Sequence, residues 1–443
     1  MNKKYVISKY NIYTRYHEDY ILFNTRTLAL GLINKETKKI LEENKEILLN
    51  NKDVKELQIM EKNGFIISES EDEIGILKER YWNNRFNQET LFLSIMTTLN
   101  CNFRCPYCFE KRKIETLNHN TQEGIITFIE KNIKQFKKIH VDWYGGEPLL
   151  EKNILTSLSH KIIQICNNAS VEYSASITTN GYLLDTLTKE QYNKYKIKSL
   201  QVTLDGNKTT HDRRRALVNG GGTFCRIVEN LKQVPKDVVL NVRVNVDQDN
   251  VDNIKSLLLY LKNQELMQAV ISIKAVVSSE QNPYEDKMLT NSNYTENILS
   301  LYDYADKLGF KTVLMNPLKY FKNEFCIVDL EQQFIISPNG GVFKCGESYD
   351  DDDPSKIGKL DKEGDMKIDN DIFIKWVKDP FEEDRCKNCR VLPLCWGGCQ
   401  LKRNVKKSVP CFTEYKENID AILIMYYEML RENLLIKEAE NEI

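Results

Sequence analysis

At 443 residues the chain is too long for one ordinary domain, and about two to four are expected. Its 41% hydrophobic and 28% charged residues are globular values, enough to bury sizeable cores. A formal net charge of −2 excludes a global pull toward nucleic acid or anionic lipid.

The N-terminal run MNKKYVISKYNIYTRYHEDY has no apolar signal-peptide core. Residues 1–80 read as a small unit of their own. YNIYTRYHEDYILFNT predicts a hairpin, two apolar-rich runs around His17-Glu18-Asp19. A helix is expected near Glu36 to Glu43. A second starts at about Asp53 as its cap, runs through Val54, Leu57 and Met60, and stops at Gly64. GFIIS then predicts a short strand. Together these elements suggest a winged-helix-like fold.

From Thr90 the pattern becomes strand–helix alternation. Strands are expected over Leu91–Thr97, Ile139–Tyr144, Val171–Ile177, Ser199–Leu204, Val238–Val246 and Val270–Val276. Between the first two, Ile125, Ile126, Ile129, Ile133 and Phe136 form one apolar helix face. The expected fold is therefore α/β: six units building a parallel sheet, open or curled into a partial barrel, over residues 86–310. Sites in such sheets lie past the C-terminal strand ends. CNFRCPYC follows the first strand, GGEP the second, TTNG the third and LDG the fourth. Four motifs at one mouth are a stronger signal than any one of them.

After about Leu308 the alternation gives way to irregular, cysteine-rich sequence over residues 311–420. An amphipathic helix is expected over 421–443; Glu428, Arg431 and Glu432 interrupt the apolar run Ala421–Ile436, so it is no membrane span. Asp350–Asp353 reads as a solvated loop, and no internal repeat of useful length is present. These features predict a cytoplasmic protein.

Twelve cysteines in such a chain are poor candidates for disulfides. None lies in the first hundred residues; three are Cys101, Cys105 and Cys108; two are isolated, Cys166 and Cys225; seven lie between Cys326 and Cys411. This clustering favours metal sites. The isolated pair reads as small buried hydrophobes. Cys101, Cys105 and Cys108, spaced CxxxCxxC, leave an iron–sulfur cubane or a zinc ion one ligand short. Thiolate suits either metal, and an open iron can hold a small molecule. The competing structural reading is a zinc knuckle lacking a ligand.

CxxxCxxC at the end of a first strand, with an aromatic before the last cysteine, resembles the radical S-adenosylmethionine (SAM) superfamily. The resemblance runs from about residue 90 to 310. It implies a 4Fe–4S cluster on Cys101, Cys105 and Cys108, with the amino and carboxylate groups of SAM on the open iron. Gly145-Gly146-Glu147-Pro148 matches the family's GGE motif, which binds the SAM amino group. Thr178–Gly181, TTNG, sits where the family contacts SAM after its third strand, implicating Thr179 and Asn180. Thr203-Leu204-Asp205-Gly206 resembles the SxDG element that reaches the ribose, with Thr203 keeping the hydroxyl. His211–Arg215, HDRRR, resembles an HDxxR segment. It makes Arg215 the candidate partner of the SAM carboxylate, with Arg213 as alternative and His211 as a structural or capping residue. Tyr107 is expected among the SAM-binding residues. The family's chemistry is reductive cleavage of SAM to methionine and a 5′-deoxyadenosyl radical that abstracts hydrogen.

The second set of cysteines is similar to the seven-cysteine SPASM domain. That likeness implies two auxiliary 4Fe–4S clusters, three in all with the first. Auxiliary I would use Cys326, Cys345 and Cys399; auxiliary II would use Cys386, Cys389, Cys395 and Cys411. No cysteine lies between Cys225 and Cys326, so auxiliary I is expected to keep an open iron for water, another side chain or a substrate thiolate. Two structural zinc sites are the alternative. The N-terminal unit resembles the element by which peptide maturases take a leader peptide as an added strand. The implied function is an oxidoreductase that installs a thioether on a ribosomally made precursor peptide. The alternatives are an anaerobic sulfatase-maturating type, which carries an aspartate where this chain has Gly346, and a carbon–carbon crosslinking or epimerising maturase. A third class is a zinc-stabilised peptide-binding scaffold. Expected partners are the precursor's leader and core and a flavodoxin or ferredoxin as electron donor, with no nucleic acid and no membrane.

Overall fold

The computed structural model describes residues 4–43, 54–86, 89–110, 113–276, 284–289, 291–312, 326–347, 353, 355–377, 379–401, 403 and 414–441. Asp53, most of the Asp350–Asp353 run and Cys411 lie outside them. The chain divides into two compact units. One comprises Phe86–Met315 and Leu330–Val377, the other Met1–Arg85, Asn316–Asp329 and Lys378–Ile443.

The first of these units is an α/β sheet. Its strands are β6 (Thr90–Thr98), β7 (Lys138–Gly145), β8 (Glu172–Thr179), β9 (Ile197–Thr203), β10 (Val239–Val246) and β11 (Val270–Ala275), all parallel to their neighbours. The alternation in KIHVDWYG explains why β7 sits still: Ile139, Val141 and Trp143 are fully buried, while His140, Asp142 and Tyr144 lie half-buried on the other face. Helices α4 (His119–Asn132), α5 (Lys152–Ala169), α6 (Lys189–Lys194), α7 (Lys208–Arg214), α8 (Phe224–Lys232) and α9 (Ile254–Asn263) fill the connections. Their apolar stripes, such as Leu155, Leu158, Ile162 and Cys166 on α5, are buried.

Two further parallel strands escape a reading by periodicity. β12 (Lys311–Thr312) joins β11, and β13 (Gln333–Ile336) joins the opposite edge beside β6. Two and four residues are too few to show a period. From β13 the sheet continues antiparallel through β14 (Gly341–Phe343), β15 (Gly358–Leu360) and β16 (Met366–Ile368). Residues past Leu308 that read as irregular thus extend the sheet on both sides.

In the other unit β1 (Tyr5–Ile7) pairs with β5 (Ile66–Ser68). The predicted hairpin is β2 (Asn11–Tyr16) and β3 (Asp19–Asn24), closed by His17 at φ 53° and joined by β4 (Leu30–Ile33) in the order β2-β3-β4. Helices α1 (Lys35–Glu43), α2 (Val54–Lys62) and α3 (Glu73–Arg85) complete the N-terminal segment. Its core continues into the end of the chain. Ile12, Ile21 and Phe23 pack with Val391, Ile419 and Leu423, against which Cys389 and Cys395 also pack. Tyr10, Leu77 and Tyr81 pack with Phe381, Leu392 and Trp396. Thr25 Oγ1 donates to the Arg390 carbonyl at 2.6 Å. Among the described residues no helix is long and apolar enough to cross a membrane.

Candidate active site

Because the strands run parallel, the loops after β6, β7, β8, β9 and β10 leave the sheet on the same side. The loop after β6 carries the cysteines. It is stitched to the segment beyond α7, where Arg104 N donates to the Ala216 carbonyl and Val218 N to the Asn102 carbonyl, both at 2.9 Å. Cys105 is buried; Cys101 and Cys108 are half-buried. Burial pushes the Cys101 and Cys108 thiols up to about 12. Thiolates there need a cation, since a metal-bound thiol is deprotonated outright. Among the described residues no three His, Cys, Asp or Glu groups converge on one metal ion.

The loop after β7 lies against the cysteine loop. Gly146 N donates to the Thr98 carbonyl and Glu147 N to the Asn100 carbonyl, both at 3.0 Å. A Cβ at Gly145, whose φ is 118°, would collide with the Thr98 carbonyl, and one at Gly146 with the Asn100 carbonyl. Glu147 is fully buried and raised above the usual carboxylate range by that burial. It clamps the end of β8: it accepts from Thr179 Oγ1 and Asn180 N, both at 2.7 Å, and from Leu149 N at 3.0 Å. Asn180 Nδ2 donates to Asn102 Oδ1 at 2.7 Å, closing the circuit to the cysteine loop.

At the end of β9 Thr203 is half-buried, and just beyond it Asp205 is fully buried. Tyr107, from the cysteine loop, donates to Asp205 Oδ2 and accepts from Arg215 Nη1 at 2.8 Å. Arg213 is exposed. Arg215 is buried, lies over the Phe103 ring, and its Nε has no hydrogen-bond partner. A buried guanidinium N–H without a partner fits a carboxylate ligand. The residues present thus fit both a cluster and SAM.

His211 is fully buried. Its Nδ1 accepts from Asp205 N and its Nε2 faces Thr223 Oγ1. Burial, then the Arg215 charge, holds its pKa down at about 3, against 6.5 for a free imidazole. The folded chain thus refuses a proton that the unfolded chain takes up. Stability from this site is whole above pH 6.5 and falls as pH drops toward 3. Urea midpoints measured over that window should fall less steeply in His211→Gln than in the native chain; equal slopes would place the loss in another group.

Sequence motifs did not single out Arg214, Asp247 or Asn102. Arg214 Nη1 donates to both oxygens of Asp247 at 2.9 and 2.7 Å, and Tyr284 donates to Asp247 Oδ2 at 3.0 Å. Arg214 also stacks on Tyr107, with its guanidinium carbon 5.0 Å from the ring centroid. The available signal was positional, because Asp247 directly follows β10. Cys225 corrects the expectation of burial: it is exposed, one position off the α8 stripe of Phe224, Ile227, Val228 and Leu231. Cys166 is buried as expected.

Of the later cysteines, Cys345 follows β14 in the sheet unit, whereas Cys326 and Cys399 fall in the other unit. Cys386, Cys389 and Cys395 are half-buried in that other unit, and Arg403 Nη2 donates to Cys386 Sγ at 3.3 Å.

Residues 95–261 match the radical SAM superfamily model. The chain carries a radical SAM domain. Such a domain implies a 4Fe–4S cluster and SAM. The chain is 25% identical over 341 residues to a cysteine-type anaerobic sulfatase-maturating enzyme of Clostridium novyi (strain NT), covering 70% of this chain and 87% of that enzyme. It is 24% identical over 330 residues to a GTP 3′,8-cyclase of Sulfurimonas denitrificans, covering 69% of this chain and 92% of that one. The solved structure of native anSMEcpe with bound AdoMet and Cp18Cys peptide matches with a TM-score of 0.58 at 19% identity, covering 80% of this chain and 100% of that one. That last likeness is one of fold.

Proposed function

We propose that this radical SAM enzyme matures a ribosomally made precursor peptide, joining a cysteine sulfur to a carbon as a thioether. The observation that carries the reading is the count of seven late cysteines together with Cys345-Gly346, a cysteine followed by a residue with no acid–base group. Seven thiolates cannot fill the eight positions of two cubanes, which leaves one iron for a substrate thiolate. In this reading the chain holds three 4Fe–4S clusters and SAM. Cys101, Cys105 and Cys108 carry the first; Cys326, Cys345 and Cys399 carry auxiliary I; Cys386, Cys389, Cys395 and Cys411 carry auxiliary II, making the C-terminal region a SPASM domain. When bound, the first cluster and SAM supply a 5′-deoxyadenosyl radical. The chain's own residues orient it: Arg215 pairs with the SAM carboxylate, Tyr107 and Asp205 hold the ribose side, and Glu147 faces the ammonium.

The relatives named as sulfatase-maturating enzymes support a second reading, oxidation of a cysteine to an aldehyde. One experiment separates the two. The reconstituted enzyme is given short cysteine-containing peptides as candidate precursors. A thioether product loses two hydrogens per ring, resists alkylation at cysteine, and yields tandem mass spectra locating both linked residues. A hydrazine-reactive aldehyde sinks the thioether reading, and a carbon–carbon link or an inverted centre with every cysteine free to alkylate does the same.

The N-terminal segment takes the leader peptide in this reading, as a strand added to β4, one of the two outer strands of its sheet. The Asn24 N to Ala29 O bond and the β3–β4 register point the Leu30 and Leu32 N–H groups away from β3. Leu32 is 43% exposed. Leu32→Pro removes one outward donor without touching the β3 ladder, so it should weaken leader binding about tenfold. Fluorescence anisotropy with labelled leader measures this; unchanged affinity would move the leader elsewhere.

A further inference from the structure

The face of the sheet opposite the buried apolar residues is polar, and one part of it forms a continuous hydrogen-bonded line. Ser176 Oγ on β8 donates to Asp142 Oδ1 on β7 at 2.6 Å. His140 Nε2 lies 3.1 Å from Ser176 Oγ, and His140 Nδ1 lies 2.9 Å from Ser174 Oγ. The register makes this possible, since Asp142 pairs with Ser176 and His140 with Ser174. Two residues further down, Lys138 and the exposed Glu172 pair at 2.8 Å, where the line meets solvent. At its upper end Asp142 is three residues below Gly145, about 10 Å along the strand from the candidate site.

We propose that Asp142 accepts the proton released in the reaction, with Ser176 and His140 as the positioning residues that hold it ready and pass its charge change along β7 and β8. The proposal rests on the thioether reading. Forming that bond removes two hydrogens. One leaves as an atom to the 5′-deoxyadenosyl radical. The thiol hydrogen leaves as a proton to Asp142 when the sulfur is taken up as thiolate, before the C–S bond forms. The electron left over goes to an iron–sulfur centre, the one-electron acceptor. The assignment also answers Gly346, which cannot accept a proton.

The hydroxyl and imidazole hydrogens fix the direction of the line. Ser176 gives its one hydrogen to Asp142, so its oxygen accepts from His140 Nε2–H. His140 Nδ1 then accepts from the Ser174 hydroxyl. Protonating Asp142 inverts all of these bonds and moves the imidazole hydrogen to Nδ1. The tautomer of His140 therefore reports the charge on Asp142. Burial raises the Asp142 carboxyl to about 6, close to the operating range of a general base. Burial, then the Lys138 charge, lowers the His140 pKa, which keeps it neutral at pH 7. The groups facing Asp142 are His140 and Tyr144 on its own strand, Ser94 on β6, and Ser176 on β8; the cations of that face are Lys138, Arg243 on β10 and Lys274 on β11.

The test uses the full reconstituted enzyme, the peptide, and ¹⁵N-histidine labelling, which gives five imidazoles to assign. Product formation in the native enzyme should rise as pH passes about 6, where Asp142 ionises. Asp142→Asn should lower kcat for ring formation at least ~100-fold while 5′-deoxyadenosine is still released, with KM unchanged. Ser176→Ala removes the bond that favours the ionised form and should move the acid limb up by about one pH unit. The His140 tautomer should switch near pH 6 in the native chain and stay fixed in Asp142→Asn. Native kcat in Asp142→Asn overturns the proposal. So does a loss confined to KM, which would make Asp142 a counter-ion for a basic substrate side chain, or a His140 tautomer that does not change. If the native enzyme forms no ring, the thioether reading fails; the tautomer switch needs no substrate and still decides whether the relay exists.

Discussion

A chain with Cys101, Cys105 and Cys108 all replaced by alanine is expected to release no 5′-deoxyadenosine from SAM under dithionite, and to lose about four irons per chain. The loop after β6 holds these thiols half-buried or buried, with Cys101 and Cys108 far too basic to ionise without a cation. Alanine there removes the ligands without removing the loop, since Arg104 and Val218 bond through backbone groups. The auxiliary clusters proposed for the later cysteines should persist and be visible as remaining charge-transfer absorbance. Release of 5′-deoxyadenosine at the native rate would take the radical chemistry away from this loop.

Replacing Arg214 by methionine should destabilise the sheet unit by about 3–5 kcal/mol, a larger effect than that of any other single substitution considered. Arg214 is nearly fully buried and donates twice to Asp247, which is wholly buried; its Nε lies 3.8 Å from Asp205. Methionine fills much of the volume but strands two carboxylates in a dry site. The Asp247 carboxylate would keep only neutral donors, the Tyr284 hydroxyl and the Asp249 backbone N–H. Urea unfolding followed by tryptophan fluorescence measures the loss, with Trp143 fully buried at the centre of the sheet. A midpoint unchanged from the native chain would mean that the pair is solvated in solution and that the site is held by backbone contacts alone.

The six core strands were legible because each spans six or more apolar-rich residues, most of them alternating, and their boundaries fall within two residues of expectation. The motif loops were legible for a related reason: a parallel sheet sends every β-to-α loop to one side, so order along the chain becomes proximity in space. What stayed hidden was short or non-local. β12 and β13 show no period, and their pairing depends on β11 and β6, distant in sequence from β13 above all. Arg214 could not be separated from Arg213 and Arg215 by sequence; helix phase decides, turning Arg213 to solvent and the other two inward. Asp142 and His140 looked like ordinary polar positions of a half-buried strand, and only the matching serines on β8 give them a shared line. Cys225 misled because its residue type favours burial while its position on α8 does not.

The core that joins β2, β3 and α3 to the segment around Cys386–Cys395 and the helix Glu414–Asn441 has a consequence for biosynthesis. Thr14 Oγ1 reaches Asp420 at 2.6 Å across a sequence separation of 406 residues. On the ribosome the N-terminal strands emerge first, yet the apolar surfaces of Ile12, Phe23 and Tyr10 have no cover until nearly the whole chain has been made. The sheet unit, whose strands mostly pair with neighbours in the chain, can form during that wait. The ends then meet late, and the cysteines packed on that core are enclosed last. Until then the thiols of Cys389 and Cys395 stay open to solvent, so the order of synthesis leaves them most exposed to oxidants just before the core closes.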